Sequence, residues 1–472
     1  MRTFADVKKA IASGKSVTDL LEVYLGRIAD SSHLNSFLEV FEESAREQAR
    51  TVDAKIANGT AGRLAGMVIG IKDNLCYKGH KVSASSKILE GFESLYTATA
   101  VQRLINEDAV IIGRLNCDEF AMGSSNENSA FGPVKNAINP EFVPGGSSGG
   151  SATAIAANLC TAALGSDTGG SIRQPASFTG TVGLKPTYGR ISRYGLIAYA
   201  SSFDQIGPFT NSVEDAALLL EVMAGADDFD ATASTRDVER YSDESEESGL
   251  RIAVLKESYE MDGTDPEIRT CIDHTIDELK AAGNTVDFVS FPYLDYIVPT
   301  YYVLTTAEAS SNLSRFDGVH YGYRSNEAKG VEDTYKKSRS EGFGAEVQRR
   351  IMAGTFVLSH GYYDAYYAKG QKVRRVLQEK TNEIFEQYDF ILLPTTPTTA
   401  FKIGEVGDSI AMYLQDIFTV HANLTGNPAI SLPLGQHSNG LPFGVQLIAN
   451  HFEEQRLINI SRQLEKKGVV HE

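Results

Sequence analysis

The chain has 472 residues, of which 42% are hydrophobic and 22% are charged, a composition that excludes a disordered protein and allows one large core or two to three ordinary ones. Its 44 basic and 61 acidic residues leave a net charge of −17. A chain this acidic is unsuited to binding nucleic acid by itself, because phosphate binding needs clustered Lys and Arg.

The first 60 residues are predicted to be helical, since apolar residues recur at spacings of three and four after Ser16, a suitable helix cap. This N-terminal stretch mixes charged and apolar residues, so it does not match a signal peptide. No run of 18 apolar residues occurs, so we expect no membrane span and a cytoplasmic protein. The four cysteines, which lack C-x-x-C spacing, are expected to be buried and reduced: Cys76, Cys117, Cys160 and Cys271.

Strand and helix patterns alternate from residue 64 onward. The chain shows a strand at Leu64–Asn74, a helix and a strand after Ala98, a helix at Ser151–Asn158 and a strand starting at Cys160. A later amphipathic helix ends at Gly283, residues 330–390 are largely helical, and short apolar strands lie near both ends of the second half. This alternation predicts an α/β fold with a large mixed, mostly parallel central sheet, covered by helices on both faces.

A single domain is expected over residues 1–472, because strands at both ends of the chain look like parts of one sheet. Its parts are the N-terminal helices (1–60), a core that holds the glycine-rich motifs (61–225), an acidic surface connection (226–250) and the remainder of the same sheet with further helices (251–472).

Two adjacent serines lie between glycine pairs in the stretch Phe142–Ala157, FVPGGSSGGSATAIAA. A flexible linker is disfavoured because the stretch leads directly into a helix. A phosphate-binding loop is disfavoured because the P-loop lysine is missing. The nucleophile elbow G-x-S-x-G matches Gly145–Gly149, but prolines precede it where a strand should lie, and none of the nine histidines has the setting of a catalytic base. These interpretations stay open on the residues alone.

A second glycine-serine cluster, GSDTGGSIRQPA, spans Gly165–Ala176. Within it, Thr168–Ser171 predicts a tight turn whose successive N–H groups could bind an oxyanion. The alternative is an ordinary turn that ends a strand.

Lys72 ends the apolar strand pattern VIGIK. A charged lysine is costly to bury, so its side chain either reaches solvent or has a lowered pKa. A neutral lysine is a competent general base.

Together these segments resemble the amidase signature family of serine hydrolases, whose pattern is K-D after an apolar strand, then G-G-S-S-G-G, then D-T-G-G-S-I-R-x-P-A. Lys72 precedes Ser147 by 75 residues (147−72), and Ser147 precedes Ser171 by 24 (171−147), which agrees with the family's Ser-cisSer-Lys arrangement. The resemblance covers about residues 10 to 465. It implies that Ser171 is the nucleophile and that Ser147, in a cis peptide, relays a proton to Lys72. It also implies an oxyanion hole at Thr168, Gly169, Gly170 and Ser171.

Further stretches are similar to the branch of this family that supplies ammonia within tRNA-dependent amidotransferases; they are residues 118–132, 307–322, 342–374 and 391–401. This similarity implies glutamine as substrate, two partner subunits (B and C), ATP and Mg²⁺ on a partner, tRNA contact only through the partner, and no cofactor in this chain. A stand-alone amidase acting on other small amides is the alternative.

Free glutamine has to be recognised at its carboxylate and its ammonium. An arginine fork suits the carboxylate, and the resemblance assigns Arg350, with Arg349 as the less favoured neighbour. It assigns Asp416 to the ammonium. For each of them the alternative is a surface salt bridge.

Overall fold

Helices and strands alternate along most of the chain, as the apolar pattern predicts. The computed structural model describes residues 1–406 and 409–468. The strands, in chain order, are β1 (Phe37–Val40), β2 (Val68–Lys72), β3 (Val110–Leu115), β4 (Ala162–Asp167), β5 (Val182–Lys185), β6 (Gln205–Thr210), β7 (Arg251–Leu255), β8 (Thr285–Val289), β9 (Phe390–Pro394), β10 (Ala429–Gln436) and β11 (Pro442–Ala449).

The helices surround these strands. In chain order they are α1 (Phe4–Ala12), α2 (Val17–Asp30), α3 (Glu42–Ala57), α4 (Thr99–Asn106), α5 (Gly149–Ala156), α6 (Arg173–Thr179), α7 (Val213–Met223), α8 (Lys256–Tyr259), α9 (Pro266–Ala281), α10 (Leu294–Asn312), α11 (Gly330–Gly342), α12 (Ala345–Leu358), α13 (Lys369–Phe385), α14 (Ser409–Leu414), α15 (Val420–Thr425) and α16 (Glu454–Lys467). Short 3₁₀ turns lie at Ser32–Leu34, Lys87–Leu89, Glu119–Ala121 and Leu313–Arg315, and a π-helical turn lies at Asp364–Ala368.

One sheet of eleven strands runs through the described chain in the order β1-β3-β2-β4-β6-β5-β10-β11-β9-β7-β8. The α/β class and the large mixed sheet are therefore confirmed. The prediction of a mostly parallel sheet is wrong, because six of its ten strand pairings are antiparallel and four are parallel. Strands that are buried on both faces are apolar in either direction, so their composition does not reveal the pairing. The single sheet supports the proposal of one domain.

Helices cover both faces of this sheet. Successive residues of a strand point to opposite faces, and on each face they pack into a core that helices complete. In β4, Ala162 and Leu164 pack in the core formed with α4, α7, α9 and α16, whereas Ala163 faces the core formed with α2, α3 and α5. In β7, Ala253 and Leu255 face a further core formed with α10, α12, α13 and α15.

One prediction for the first 60 residues is wrong, because β1 interrupts their helices. It is a strand of four residues that pairs with β3 at the edge of the sheet. So short a strand shows no clear period of two in the sequence. Within the described residues no helix is long and apolar enough to cross a membrane. All four cysteines are buried and free.

The carboxyl ends of β2 and β4 lie side by side, because these two strands are parallel neighbours, with Ile71 opposite Leu164. Lys72 at the end of β2 is thereby placed beside Ser166 and Asp167 at the end of β4. The helix α5, which leads into β4, carries the glycine-serine stretch to the same edge.

Candidate active site

Lys72 is fully buried at the end of β2. Its Nζ donates hydrogen bonds to the hydroxyls of Ser147 at 2.7 Å, Ser148 at 2.8 Å and Ser166 at 2.9 Å. Burial lowers the pKa of Lys72 to about 8, although nearby acidic groups such as Asp118 oppose this shift. The sequence left open whether this side chain reaches solvent; the structure shows that it does not.

Ser147 follows a cis peptide bond at Gly146–Ser147. Residues 145–150 are all buried, and the N–H of Gly146 donates to the side chain of Gln174 at 2.9 Å. A Cβ atom on Gly146 would lie 2.2 Å from the carboxylate of Asp118, so no larger residue fits there. The stretch is a packed wall of the site, which excludes a flexible linker.

The structure does not support the nucleophile-elbow alternative, which needs a histidine as the base. Among the described residues no histidine forms a hydrogen bond with Ser147 or Ser171. The buried His421 lies within hydrogen-bond distance (2.7 Å) of Thr381, and burial lowers its pKa to about 4. The group that contacts Ser147 is Lys72.

The predicted tight turn Thr168–Ser171 follows β4 directly, and Ser171 retains 8% of its surface exposed. Gly170 has a φ of +130°, and a Cβ there would lie 2.1 Å from the hydroxyl oxygen of Thr419. Both facts require glycine at this position.

The N–H of Gly170 is already engaged, because it donates to the carboxylate of Asp167 at 2.9 Å. This corrects the expectation that Gly170 supplies an oxyanion donor; its contribution is the conformation of the turn. Within the described part of the chain, the amides of Thr168, Gly169 and Ser171 donate to no protein acceptor. These three N–H groups remain available.

A buried ion pair between Asp167 and Arg173 holds the turn from behind. Asp167 accepts from Arg173 Nε and Nη2 at 3.1 Å, from Asn423 at 2.8 Å and from the N–H of Ile172 at 3.2 Å. Burial favours the neutral acid, but Arg173 and the hydrogen bonds hold the pKa of Asp167 below its usual value. Sequence reasoning placed both residues within the motif but gave neither a role. The signal in the sequence that could have indicated this ion pair is an acid and an arginine six positions apart on either side of a glycine turn.

Arg350 lies on α12 and is 4% exposed. Its Nε donates to Glu346 at 2.8 Å and its Nη1 to the hydroxyl of Tyr199 at 2.9 Å. Its guanidinium also packs against the rings of Tyr199, Tyr302 and Tyr413, at 5.3 to 5.8 Å from their centroids. Nη2 has no protein acceptor among the described residues, so one corner of the fork can receive a ligand.

Arg349 differs sharply from its neighbour. Its side chain is 54% exposed and forms an ion pair with Glu346 on the same helix. Both arginines line a cavity of about 280 Å³, together with Tyr302, Tyr366 and Phe356. Arg350, unlike Arg349, is buried and packed against aromatic rings, so its guanidinium is held in a fixed orientation.

Asp416 is 7% exposed and accepts a hydrogen bond from the hydroxyl of Ser124 at 2.5 Å. Burial raises its pKa to about 7, whereas Ser124 and the nearby Arg350 act to lower it. The backbone of Ser124 accepts from Gln174 at 2.6 Å, and Gln174 in turn accepts from the N–H of Gly146. Asp416 is thereby joined to the wall that holds Ser147. Neither Arg350 nor Asp416 is the surface salt bridge that the sequence left as an alternative.

No group of three or more His, Cys, Asp or Glu side chains suited to a metal ion occurs in residues 1–406 and 409–468.

Comparisons with known proteins agree on the family of this fold and site. The family model described as Amidase matches residues 19–458. The A subunit of glutamyl-tRNA(Gln) amidotransferase from Koribacter versatilis is 53% identical over 455 residues, covering 95% of each chain. The crystal structure of the corresponding A subunit from Thermotoga maritima is 42% identical, covers 97% of this chain and 93% of that one, and superposes with a TM-score of 0.80. A peptide amidase is 29% identical, with a TM-score of 0.83 and coverage of 98% and 97%.

Proposed function

The chain belongs to the amidase family, and we propose that it is the glutamine-hydrolysing component of a glutamyl-tRNA(Gln) amidotransferase. It releases ammonia from glutamine, and a partner subunit uses that ammonia to convert Glu-tRNA(Gln) to Gln-tRNA(Gln). The observation that carries the chemistry is the fully buried Lys72, hydrogen-bonded to Ser147 and to Ser166, which lies near the end of β4, the strand that leads into the turn bearing Ser171.

Ser171 Oγ is the nucleophile, and it attacks the side-chain amide carbon of glutamine. Neutral Lys72 receives the Ser171 proton through the hydroxyl of Ser147 and returns a proton to the departing nitrogen. The carbon–nitrogen bond breaks, ammonia leaves, and a glutamyl ester remains on Ser171. Water then attacks the ester and releases glutamate.

The developing oxyanion is stabilised by the turn Thr168–Ser171. The available amides of Thr168, Gly169 and Ser171 are its donors. Loss of one such donor typically costs about 2.7–4 kcal/mol of transition-state stabilisation. Gly170 and the Asp167–Arg173 pair keep the donors in place before substrate arrives.

Recognition of glutamine is assigned to Arg350 and Asp416. The corner of Arg350 that lacks a protein acceptor binds the substrate carboxylate, and the tyrosines around it fix the direction of the guanidinium. Asp416 binds the substrate ammonium, whose positive charge favours the ionised carboxylate over the neutral form that burial promotes.

The pH dependence of glutamine hydrolysis follows from Lys72. Only its neutral form accepts a proton, so the fraction of competent enzyme grows as the pH rises through the pKa of about 8. We expect kcat/KM for ammonia release to increase from about pH 6.5 to a plateau above about pH 9, one unit above that pKa. A profile that is flat or falling over this range contradicts a lysine base.

Replacing Asp416 with alanine is expected to raise KM for glutamine about ten- to a hundredfold with a smaller change in kcat, because the substitution removes an interaction with a group that does not react. Steady-state ammonia release measures both constants. Asp416→Asn is the matched control for shape, since it keeps an acceptor for Ser124; it should raise KM similarly because only the charge is removed. An unchanged KM in both variants would place the ammonium elsewhere.

Partner dependence tests the assignment to an amidotransferase. The net charge of −17 disfavours tRNA binding by this chain, so we assign tRNA, ATP and Mg²⁺ to a partner and expect a stable complex with B and C subunits. Ammonia is readily lost to solvent, so the interface should bury at least about 2,000 Å², as in permanent complexes.

Co-expression, gel filtration and ammonia release measured with and without ATP and Glu-tRNA(Gln) provide the test. The proposal predicts a co-eluting complex that forms Gln-tRNA(Gln). A monomer that hydrolyses simple amides efficiently and does not associate with the other subunits would favour the stand-alone amidase.

A further inference from the structure

Asp204 is a buried carboxylate with no assigned role, 2% exposed and located immediately before β6. Because β6 runs antiparallel to β4 with Gln205 opposite Asp167, the next residues along, Asp204 and Thr168, face each other. The sheet itself therefore brings this carboxylate to the turn that bears Ser171.

The carboxylate of Asp204 holds two separate turns. Its Oδ1 accepts from the hydroxyl of Thr168 at 2.7 Å. Its Oδ2 accepts from the N–H of Tyr199 at 2.9 Å and from that of Ala200 at 3.0 Å. Among the described residues no Lys or Arg forms a salt bridge with it. The hydrogen bonds from these two turns therefore offset part of the cost of burying the carboxylate. Burial outweighs them and raises the pKa of Asp204 to about 6.

Tyr199 carries the connection onward to the arginine. Its hydroxyl accepts from Arg350 Nη1 at 2.9 Å and donates to Thr305 at 3.0 Å, and its ring packs against the same guanidinium. With Asp204 at its backbone and Arg350 at its hydroxyl, Tyr199 is held at both ends. The path Thr168–Asp204–Tyr199–Arg350 is continuous and buried throughout.

We propose that Asp204 is a positioning residue that fixes the oxyanion turn and the tyrosine support of Arg350 relative to each other. This inference rests on the proposed function, in which the turn stabilises the reacting amide and Arg350 binds the distant carboxylate of glutamine. When Arg350 holds the carboxylate of glutamine, this link keeps the side-chain amide in register with the oxyanion turn. A misplacement of about 1 Å can lower the rate about 10²-fold.

Three variants of the co-expressed complex test the proposal by steady-state ammonia release. Asp204→Ala is expected to lower kcat about 10²-fold and to raise KM for glutamine. Asp204→Asn should stay within about tenfold of wild type, because its oxygen can accept from Tyr199 and Ala200 while its NH₂ donates to the hydroxyl of Thr168. Tyr199→Phe should raise KM with a smaller effect on kcat, because it removes only the hydroxyl that contacts Arg350.

Asp215→Ala is the matched control, since Asp215 is also a buried acid that accepts a backbone N–H, that of Phe4 at 2.9 Å, and has no part in the site. Thermal unfolding gives the folded fraction of each variant, and rates are expressed per folded enzyme. Asp215→Ala should then match wild type in kcat and KM.

Wild-type constants in folded Asp204→Ala, or an equal decrease in Asp204→Asn and Asp204→Ala, would overturn the proposal. If Asp204→Ala does not fold, the KM change in Tyr199→Phe and retention of activity in Asp204→Asn decide it. A wild-type complex that releases no ammonia from glutamine refutes the proposed function separately. The comparison of the Asp204 variants is then made on a simple amide substrate, where a lower kcat in Asp204→Ala with recovery in Asp204→Asn is still expected.

Discussion

Replacing Ser171 with alanine is expected to abolish ammonia release from glutamine while the fold stays intact. The change removes the attacking oxygen, and loss of the nucleophile in serine hydrolases reduces kcat by on the order of 10⁶-fold. Only one hydroxyl at the surface of a turn is removed, with 8% of the residue exposed, so the thermal unfolding temperature should stay close to that of wild type. Ammonia release and calorimetry on the same preparation measure both effects.

Ser151→Ala is the matched control for this variant. Ser151 is a fully buried serine on α5 whose hydroxyl donates to the carbonyl of Leu164 at 2.9 Å, and it is not among the serines that Lys72 contacts. It should retain nearly full activity. Appreciable turnover by Ser171→Ala would rule out Ser171 as the nucleophile and revive the elbow interpretation of Ser147.

Replacing Lys72 with arginine is expected to be nearly as damaging as replacing it with alanine. A general base contributes about 10²–10⁴-fold to rate, and arginine keeps its proton at every accessible pH. The site of Lys72 is fully buried, so a fixed positive charge is costly there, and a guanidinium is larger than the amine that contacts three serine hydroxyls. Ammonia release measured from about pH 6.5 to about pH 9, the range in which a lysine base of this kind titrates, is the test.

Lys72→Met separates removal of the base from failure to fold, because methionine fills the same space without charge. It should fold and be as inactive as Lys72→Ala. Substantial amide hydrolysis by Lys72→Arg, or by folded Lys72→Met, would contradict a lysine base.

Local patterns in the sequence predict the parts of this site that lie on regular elements. An apolar run that ends in lysine indicates a buried strand with Lys72 at its end, and the structure has it as β2. The glycine-rich stretch before an alanine-rich run indicates the helix that becomes α5, although that helix begins at Gly149, two residues earlier than predicted. In both cases the signal lies within a few neighbouring residues.

Features that depend on strand pairing were not predictable in this way. Buried strands have the same apolar composition whether their neighbours run parallel or antiparallel to them. The sequence therefore predicts a mostly parallel sheet, although six of the pairings are antiparallel. The contact of Asp204 with Thr168 depends on the same pairing, because it follows from the register of β4 against β6. The edge strand β1 is too short to show its own period.

The hydrogen-bond partners of individual backbone groups also cannot be predicted from the sequence. The motif suggests that every N–H of the turn Thr168–Ser171 faces the substrate, but the amide of Gly170 donates to Asp167 instead. Which carboxylate oxygen lies near which amide is decided by the packing of β4, α6 and α15 together, where Arg173 and Asn423 orient Asp167.

Hydrolysis of glutamine through an ester on Ser171 can be tested by mapping that ester on the protein. The co-expressed complex is mixed with glutamine, quenched in acid within one turnover, digested and analysed by mass spectrometry, with Ser171→Ala treated in parallel. We expect a glutamyl group on the peptide containing Ser171, localised to that residue by fragmentation and absent from the variant. A glutamyl group on Ser147, or ammonia release in the quenched sample with no acylated peptide, would contradict the proposed mechanism.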